Sequence, residues 1–481
     1  MDSITLLESR RLRATSELDR RHRSALGQFF TPAQVAQYMA ALLRFRQTDA
    51  VRLLDAGAGI GLLTAAVAAR LGSRPMRATC YELEPRFQSE LQATLNALPN
   101  VSAVVEPQDF IAHAVQLLTA AHRPDYTHVI LNPPYKKIGR QSSYRTHLRT
   151  LGLETGNLYA GFLACAVALC RRGAQIVAIV PRSFMNGLYF KPFRFWFLDR
   201  VAITHIHVFE RRDQAFSDDR VLQENVILRV VVGGRQRSVT ITSARDASFA
   251  GLQRCVRPFA QVVIPGESER FLHIPTPGAA EPRNLPGHPL RELGLEVSTG
   301  PVVDFRLREQ LRMQPEPGAV PLLYAAHFQS GVLKWPGTGR KPSAIVDNTV
   351  TERWLWPRGS YVVLRRLSSK EEKRRIVACL VDEAELPDAK VGFENHLNVF
   401  HQSRKGLPRE LARGLVAYLN SQAVDDYFRS FSGQTQVNAT DLRHLRYPSR
   451  TELYALAKSA NQNRSEDGQP RRPARGAAFR P

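Results

Sequence analysis

The apolar run Thr127-His128-Val129-Ile130-Leu131 stops at Asn132-Pro133-Pro134-Tyr135. Consecutive prolines fix two φ angles and remove two N–H donors, so neither a helix interior nor a central strand runs through them. The segment reads as a buried strand ending in a rigid polar tetrapeptide, and open α/β sheets carry their chemistry at that carboxyl edge. The Asn132 side chain and the Pro133 carbonyl remain as acceptors converging on one point, with the Tyr135 ring beside them. Two acceptors and an aromatic face suit a flat amine. Paired prolines are also an ordinary strand stop, so the remaining chain has to decide between the readings.

Upstream, Val51-Arg52-Leu53-Leu54 reads as a strand running into Asp55-Ala56-Gly57-Ala58-Gly59-Ile60-Gly61, with a helical pattern after it. Glycines there let a backbone approach a ligand closely, and a helix N-terminus offers free N–H groups. The spacing departs from G-x-G-x-x-G, and a nicotinamide site or a plain tight turn stays open from this loop alone. A second strand, Ala78-Thr79-Cys80-Tyr81, ends at Glu82, where nucleotide-binding sheets place a ribose-binding carboxylate. Asp109-Phe110 follows a third apolar stretch, residues 101–105. Three successive strand ends thus carry what an adenosine-containing cofactor needs.

In this order the motifs resemble the N6-adenine DNA methyltransferases of the gamma arrangement, in particular the PstI/BsuBI-type modification methylases. Gly27-Gln28-Phe29-Phe30-Thr31-Pro32 is similar to their amino-terminal cofactor motif, and Asp55, Gly57, Glu82, Asp109 and Phe110 stand in the cofactor motifs that follow. Asn132-Pro133-Pro134-Tyr135-Lys136-Lys137-Ile138 is similar to the catalytic loop, and Val221-Leu222-Gln223-Glu224-Asn225-Val226-Ile227 to a further family segment. The resemblance covers most of residues 20–450. It implies S-adenosyl-L-methionine as cofactor, held by Phe30, Thr31, Pro32, Asp55, Gly57, Gly59, Gly61, Glu82, Asp109, Phe110 and Asn132. It implies methylation at N6 of an adenine flipped out of double-stranded DNA, with Asn132, Pro133, Pro134 and Tyr135 as catalytic residues. Phe216 is expected as the second stacking ring, with Phe209 and Phe184 as alternatives. Lys136, Lys137, Arg140, Lys191 and Arg194 are the expected DNA contacts. A restriction endonuclease acting on the same site, without a stable complex, is the expected functional partner.

Composition is consistent with a polyanionic partner. Lys and Arg outnumber Asp and Glu by 66 to 44 in 481 residues, a net charge of +22, and the excess divides almost evenly about residue 250. Cys80, Cys165, Cys170, Cys255 and Cys379 contain no C-x-x-C pair, which suggests neither zinc nor disulfides. His205 and His207 alternate on a strand-like run, and metal binding is not expected of them. No apolar stretch is long enough to span a membrane, and a cytoplasmic protein is expected.

The expected fold class is α/β: a Rossmann-like S-adenosylmethionine-dependent methyltransferase sheet followed by a C-terminal target-recognition domain. The expected boundaries are residues 1–250 for the catalytic domain and 251–289 for a proline-rich linker. Residues 290–450 follow as the recognition domain and 451–481 as a basic, disordered tail. Leu295-Glu296-Val297-Ser298-Thr299-Gly300 and Ser432-Gly433-Gln434-Thr435-Gln436-Val437-Asn438 resemble the paired framework segments of such recognition domains. The other readings are a methyltransferase acting on an RNA base or a protein glutamine, and a non-catalytic DNA specificity protein. The separate carboxy-terminal region argues against the first and intact Asn132, Tyr135 and Glu82 against the second.

Overall fold

The computed structural model describes residues 8–9, 11–12, 30–47, 50–120, 123–210, 224–274, 285, 287–329, 331–337, 339–368, 372–432 and 435–466. Two compact units divide at Pro282 and Arg283. The first opens with helix α1 (Ala33–Leu42) and then alternates: β1 (Val51–Ala56), α2 (Leu62–Leu71), β2 (Met76–Tyr81), α3 (Pro85–Asn96), β3 (Val101–Glu106), α4 (Phe110–Thr119) and β4 (Tyr126–Leu131). Two helices, α5 (Ser143–Thr150) and α6 (Leu158–Leu169), lead into β5 (Cys170–Pro181). A 3-10 turn (Arg182–Met185), α7 (Lys191–Leu198), β6 (Val201–Phe209), β7 (Asn225–Val232), β8 (Ser238–Ala244) and β9 (Gln253–Pro258) follow.

The strands form one sheet in the order β3-β2-β1-β4-β5-β7-β6-β8-β9. The first five run parallel, and β7 inserts antiparallel between β5 and β6. Parallel strands buried on both faces read as continuous apolar runs, and β4 is buried along its whole length. Its side chains alternate between two core layers. Val129 and Leu131 pack with Ile111, Ala114 and Leu163, whereas Ile130 packs with Val35, Met39, Leu63 and Val67. The chain order reverses between β1 and β4, which opens a crevice beyond their carboxyl ends.

Two expected boundaries are corrected. Residues 253–258 are not linker, because β9 pairs antiparallel with β8 from Ser238↔Pro258 to Ser243↔Gln253. Pro258 is tolerated there because β9 is the edge strand, where a missing N–H costs no ladder bond. Phe271, Leu272 and Ile274 are also buried in this unit. Pro275, Pro277, Pro282 and Pro286 of the expected linker lie outside the described residues.

The second unit contains a four-stranded sheet in the order Glu296–Thr299, Leu397–His401, Tyr361–Arg365, Ala378–Val381. A core around Trp356, Tyr361 and Phe393 supports it. The two segments singled out as framework are each tied to this unit's elements: Glu296–Thr299 is the edge strand paired with Leu397–His401, and Val437 is held by that neighbouring strand. Arg443 donates to the Val297 carbonyl at 2.8 Å, and Asn398 donates to the Val437 carbonyl at 2.7 Å; Gly433 and Gln434 lie outside the described residues. The second correction concerns the tail, which continues as a helix over Arg450–Glu466. Leu453 and Ala457, one turn apart, are buried. Gly414 of the helix Arg409–Leu419 lies so close to the Leu453 carbonyl that a Cβ would sit 1.8 Å away.

Candidate active site

The glycine loop joins β1 to α2 at the crevice. Gly57, Gly59 and Gly61 have φ of 83°, 56° and 88°, conformations that L side chains adopt only with strain. The loop is tied to β2 because Gly57 and Ala58 both donate to the Tyr81 carbonyl, at 2.9 and 2.8 Å. Phe30 lies against it, so that a Cβ on Gly59 would meet the ring at 3.1 Å.

Glu82, at the end of β2, accepts from the Gly59 N–H through Oε2 at 2.8 Å and from the Glu84 N–H through Oε1 at 2.9 Å. Burial raises its carboxyl above the usual range although both backbone bonds oppose the shift. Asp109 caps α4 through Oδ1, accepting from Ala112 N–H at 2.9 Å, while Oδ2 accepts from the Tyr144 hydroxyl at 2.7 Å. An N-cap of this kind contributes ~1 kcal/mol to its helix. Burial, followed by the bond to Asp109, pushes the Tyr144 phenol up to about 12.

Asn132 lies just past β4. Its Nδ2 donates to Thr31 Oγ1 at 3.1 Å, and its Oδ1 accepts from the Tyr135 hydroxyl at 3.0 Å. The Tyr135 hydroxyl also reaches the Ile179 carbonyl on β5 at 3.2 Å. Burial holds this phenol well above its ordinary range, so it stays neutral and can donate.

A cavity of about 350 Å³ is lined by Phe30, Gly57, Gly59, Glu82, Asp109, Phe110, Asn132 and Pro134. A smaller one beside it reaches Thr31. The structure therefore brings most of the expected cofactor residues to one place. Three stand behind it. Pro32 precedes α1 and accepts from Ala36 N–H, and Gly61 packs against Leu91. Asp55 is fully buried, with Oδ2 accepting from Thr64 at 2.7 Å. Burial lifts the Asp55 carboxyl to about 7, and the charge of Glu82 adds to the rise.

The far wall of the cavity was only half visible to sequence reasoning, which named Lys136, Lys137 and Ile138 but not Ser142 or Tyr144 and gave none of them to the cofactor pocket. It consists of Lys136, Lys137, Ile138, Gly139, Ser142 and Tyr144, with Leu158 and Phe162 behind. Backbone bonds from Ile138 N to Gly156 O and from Leu158 N to Lys136 O fold this segment back. Tyr144 carries no sequence signal of its own, since its role depends on that fold-back.

The expected DNA contacts separate. Lys136, Lys137 and Arg140 are exposed, and Lys191 pairs with Glu269 at 2.6 Å while remaining partly exposed. Arg194 is a correction: it is 0% exposed, donates to the carbonyls of Phe184, Gly187 and Glu269 at 2.9–3.0 Å, and lies over the Phe271 ring. Helical spacing on α7 points it into the protein, where it pins the turn after β5. Phe216 lies outside the described residues. Phe184 is enclosed in the core against Phe193, and Phe209, also buried, ends β6 beside Phe249. His205 and His207 both bond Thr242, and burial lowers their pKa values to about 4 and about 3. Among the described residues no His, Cys, Asp and Glu cluster is placed to hold a metal, and all five cysteines are free thiols.

The sheet order, with a pocket at its switch point, is that of an open α/β fold that binds a nucleotide-like ligand at the carboxyl ends of its strands. A family model described as Eco57I restriction-modification methylase matches residues 82–216. The chain is 46% identical over 466 residues to the type II methyltransferase M.BsuBI of Bacillus subtilis, covering 93% of each chain. It is 41% identical over 475 residues to the type II methyltransferase M.PstI of Providencia stuartii, covering 95% of this chain and 93% of that one. The chain belongs to this family of type II methyltransferases. Its fold is also similar to that of the type IIL restriction-modification enzyme MmeI, solved in complex with DNA. That similarity has a TM-score of 0.51 at 10% identity and covers 97% of this chain and 71% of MmeI.

Proposed function

We propose that this protein transfers a methyl group from S-adenosyl-L-methionine to N6 of an adenine flipped out of double-stranded DNA, as the modification enzyme of a restriction-modification system. The observation that carries the reading is the Asn132 amide, held by Thr31 so that Oδ1 is the acceptor, on the wall of a cavity that also contains Glu82 and Asp109.

The residues present fit an adenosine-bearing cofactor. A carboxylate offers about four lone-pair sites, and Glu82 and Asp109 each use two, which leaves acceptors for ribose hydroxyls and an adenine amine. Gly57 and Gly59 admit a ligand close to the backbone. When bound, S-adenosylmethionine supplies an electrophilic methyl group on a sulfonium.

The N6 lone pair of adenine is delocalised into the ring and is a poor nucleophile. Asn132 Oδ1 and the Pro133 carbonyl accept hydrogen bonds from its two N–H groups, which favours a tetrahedral nitrogen and strengthens as positive charge develops there; once methylated, the nitrogen releases one proton to solvent. For the target amine to use Asn132 Oδ1, the Tyr135 hydroxyl shares that acceptor or turns wholly to Ile179 O. The Tyr135 ring offers one stacking face to a base that has left the duplex at a cost of a few kcal/mol. Phe216 is proposed for the other. Lys136, Lys137 and Arg140, with Lys191 at the margin, are proposed to meet phosphates.

Residues from about 290 to 450 are proposed to read the target sequence, the protein is proposed to act in the cytoplasm, and its functional counterpart is an endonuclease that cleaves the same site when unmethylated, without a stable complex between the two. Methylation mapping of a host expressing this chain tests the proposal: N6-methyladenine in one sequence context is expected. Methylation of cytosine or RNA alone, or none, would refute it.

A further inference from the structure

Asn225 opens β7, and Asn186 follows the 3-10 turn that ends β5. Each is only 2% exposed, and among the described residues neither the amide nitrogen nor the amide oxygen of either side chain has a hydrogen-bond partner. Burying polar groups without partners is costly, and native proteins retain few of them. The open carboxamide of Asn225, at the end of the catalytic sheet, points to a ligand that completes it, whereas Asn186 follows Phe184 and Met185, which pack in the opposite core layer.

The position of Asn225 identifies the ligand's surroundings. β4, β5 and β7 are adjacent, Asn225 stands opposite Pro181, and Arg182 N–H donates to the Glu224 carbonyl at 2.7 Å. The Tyr135 hydroxyl contacts Ile179 O, two residues before Pro181, and Tyr159 bridges to Ser183 Oγ at 3.0 Å. Asn132, Tyr135, Pro181 and Asn225 therefore lie along one edge. Strand alternation puts Asn225 on the face of Ile227, which packs in the layer of Ile130, Ile179 and Met39. Asn132 turns its amide toward the same side, where Thr31 precedes α1. Only β5 separates the two asparagines.

We infer that Asn225 forms a polar wall of the target-base pocket and donates one of its amide hydrogens to a ring nitrogen of the flipped adenine. The inference rests on the proposed function and deepens it. With both N6 protons engaged by Asn132 and Pro133, the remaining polar atoms of adenine, N1, N3 and N7, are all acceptors. They require a donor, and a carboxamide NH2 is one. Its oxygen, lacking any N–H on adenine to accept, would be the half of the amide that tolerates a neighbouring nucleotide or solvent.

The test uses the full-length Asn225→Leu and Asn225→Ala variants with duplexes whose target adenine is replaced in turn by 1-, 3- or 7-deazaadenine. Because the free protein gives this amide no partner, the variants are expected to keep or raise Tm. On the unmodified duplex kcat/KM should fall about tenfold, the size expected for one hydrogen bond. One deaza analogue should cost the wild type a similar factor and cost the variants nothing further. Unchanged kcat/KM, equal deaza penalties in wild type and both variants, or a Tm falling in step with activity would overturn the inference. Wild-type protein that forms no N6-methyladenine on the unmodified duplex would overturn the functional reading and this inference together. A methylating wild type with indifferent Asn225 variants would overturn the inference alone.

Discussion

Asn132 is oriented by Thr31, 101 residues earlier in the chain, through a bond of 3.1 Å from Nδ2 to Oγ1. An amide that donates on one side is fixed to accept on the other, and the methyl-transfer chemistry needs that acceptor. Asn132→Ala is expected to lower the single-turnover methylation rate by ~10²–10³ with cofactor affinity nearly intact. Thr31→Val, which keeps the shape and removes the acceptor, is expected to lose about tenfold, the cost of one ordinary hydrogen bond. Near-normal turnover in Asn132→Ala would end its catalytic assignment.

Glu82 is expected to dominate cofactor affinity. Its carboxylate both holds the Gly59 N–H of the glycine loop and keeps lone pairs for the ribose. Glu82→Ala should weaken S-adenosylmethionine binding by ~1.5–3 kcal/mol, with DNA affinity changed far less. Isothermal calorimetry reads both, and an unaltered cofactor affinity would remove Glu82 from the site.

Asp55 gives the fold a pH dependence of definite sign. Its carboxyl rises from an ordinary 3.8 to about 7 on folding, so the folded state holds a proton that the unfolded state has released between those values. Stability from this group is complete below about 3.8 and is lost as pH rises toward 7. Asp55→Asn cannot ionise and can still accept from Thr64. The Tm of this variant relative to wild type should increase as pH is raised across that window, in paired thermal melts. A difference constant with pH would contradict the buried-acid reading.

Arg194 and Lys191 should behave differently although both were sequence candidates for DNA. Replacing Arg194 by Ala removes three buried carbonyl contacts and leaves Glu269 less compensated, at an expected ~3–5 kcal/mol in denaturant unfolding. Lys191→Ala should change stability by less than ~1 kcal/mol, because its ammonium is partly solvated. Equal, small effects from both would place Arg194 at the surface.

The break between the units gives a sharper truncation than the proline count suggested. A chain ending at residue 250 removes β9 and the buried residues 271–274, and is expected to be insoluble. One ending at residue 282 should retain cofactor binding and a salt-sensitive affinity for any duplex. Preference for a particular sequence should vanish if the second unit reads the bases. A 1–282 protein that still methylates only the original site would assign recognition to the first unit.

The residue sequence by itself determined the strand ends and what they carry. The loop from Asp55 to Gly61, Glu82, Asp109 and the tetrapeptide at Asn132 are contiguous signals, each a short apolar run meeting a turn residue, and such patterns depend on neighbours in the chain. Sheet order, the burial of Arg194, and the boundary at β9 required tertiary structure. A basic residue on a helix reads the same facing solvent or facing three carbonyls, and an edge strand containing a proline reads as linker until its partner is known. The contacts of Thr31 with Asn132, of Tyr144 with Asp109, and of Asn225 with the sheet edge join residues far apart in the chain. No local periodicity encodes such pairs; they follow from β4, β5 and β7 lying side by side and from the segment after the tetrapeptide folding back across the pocket.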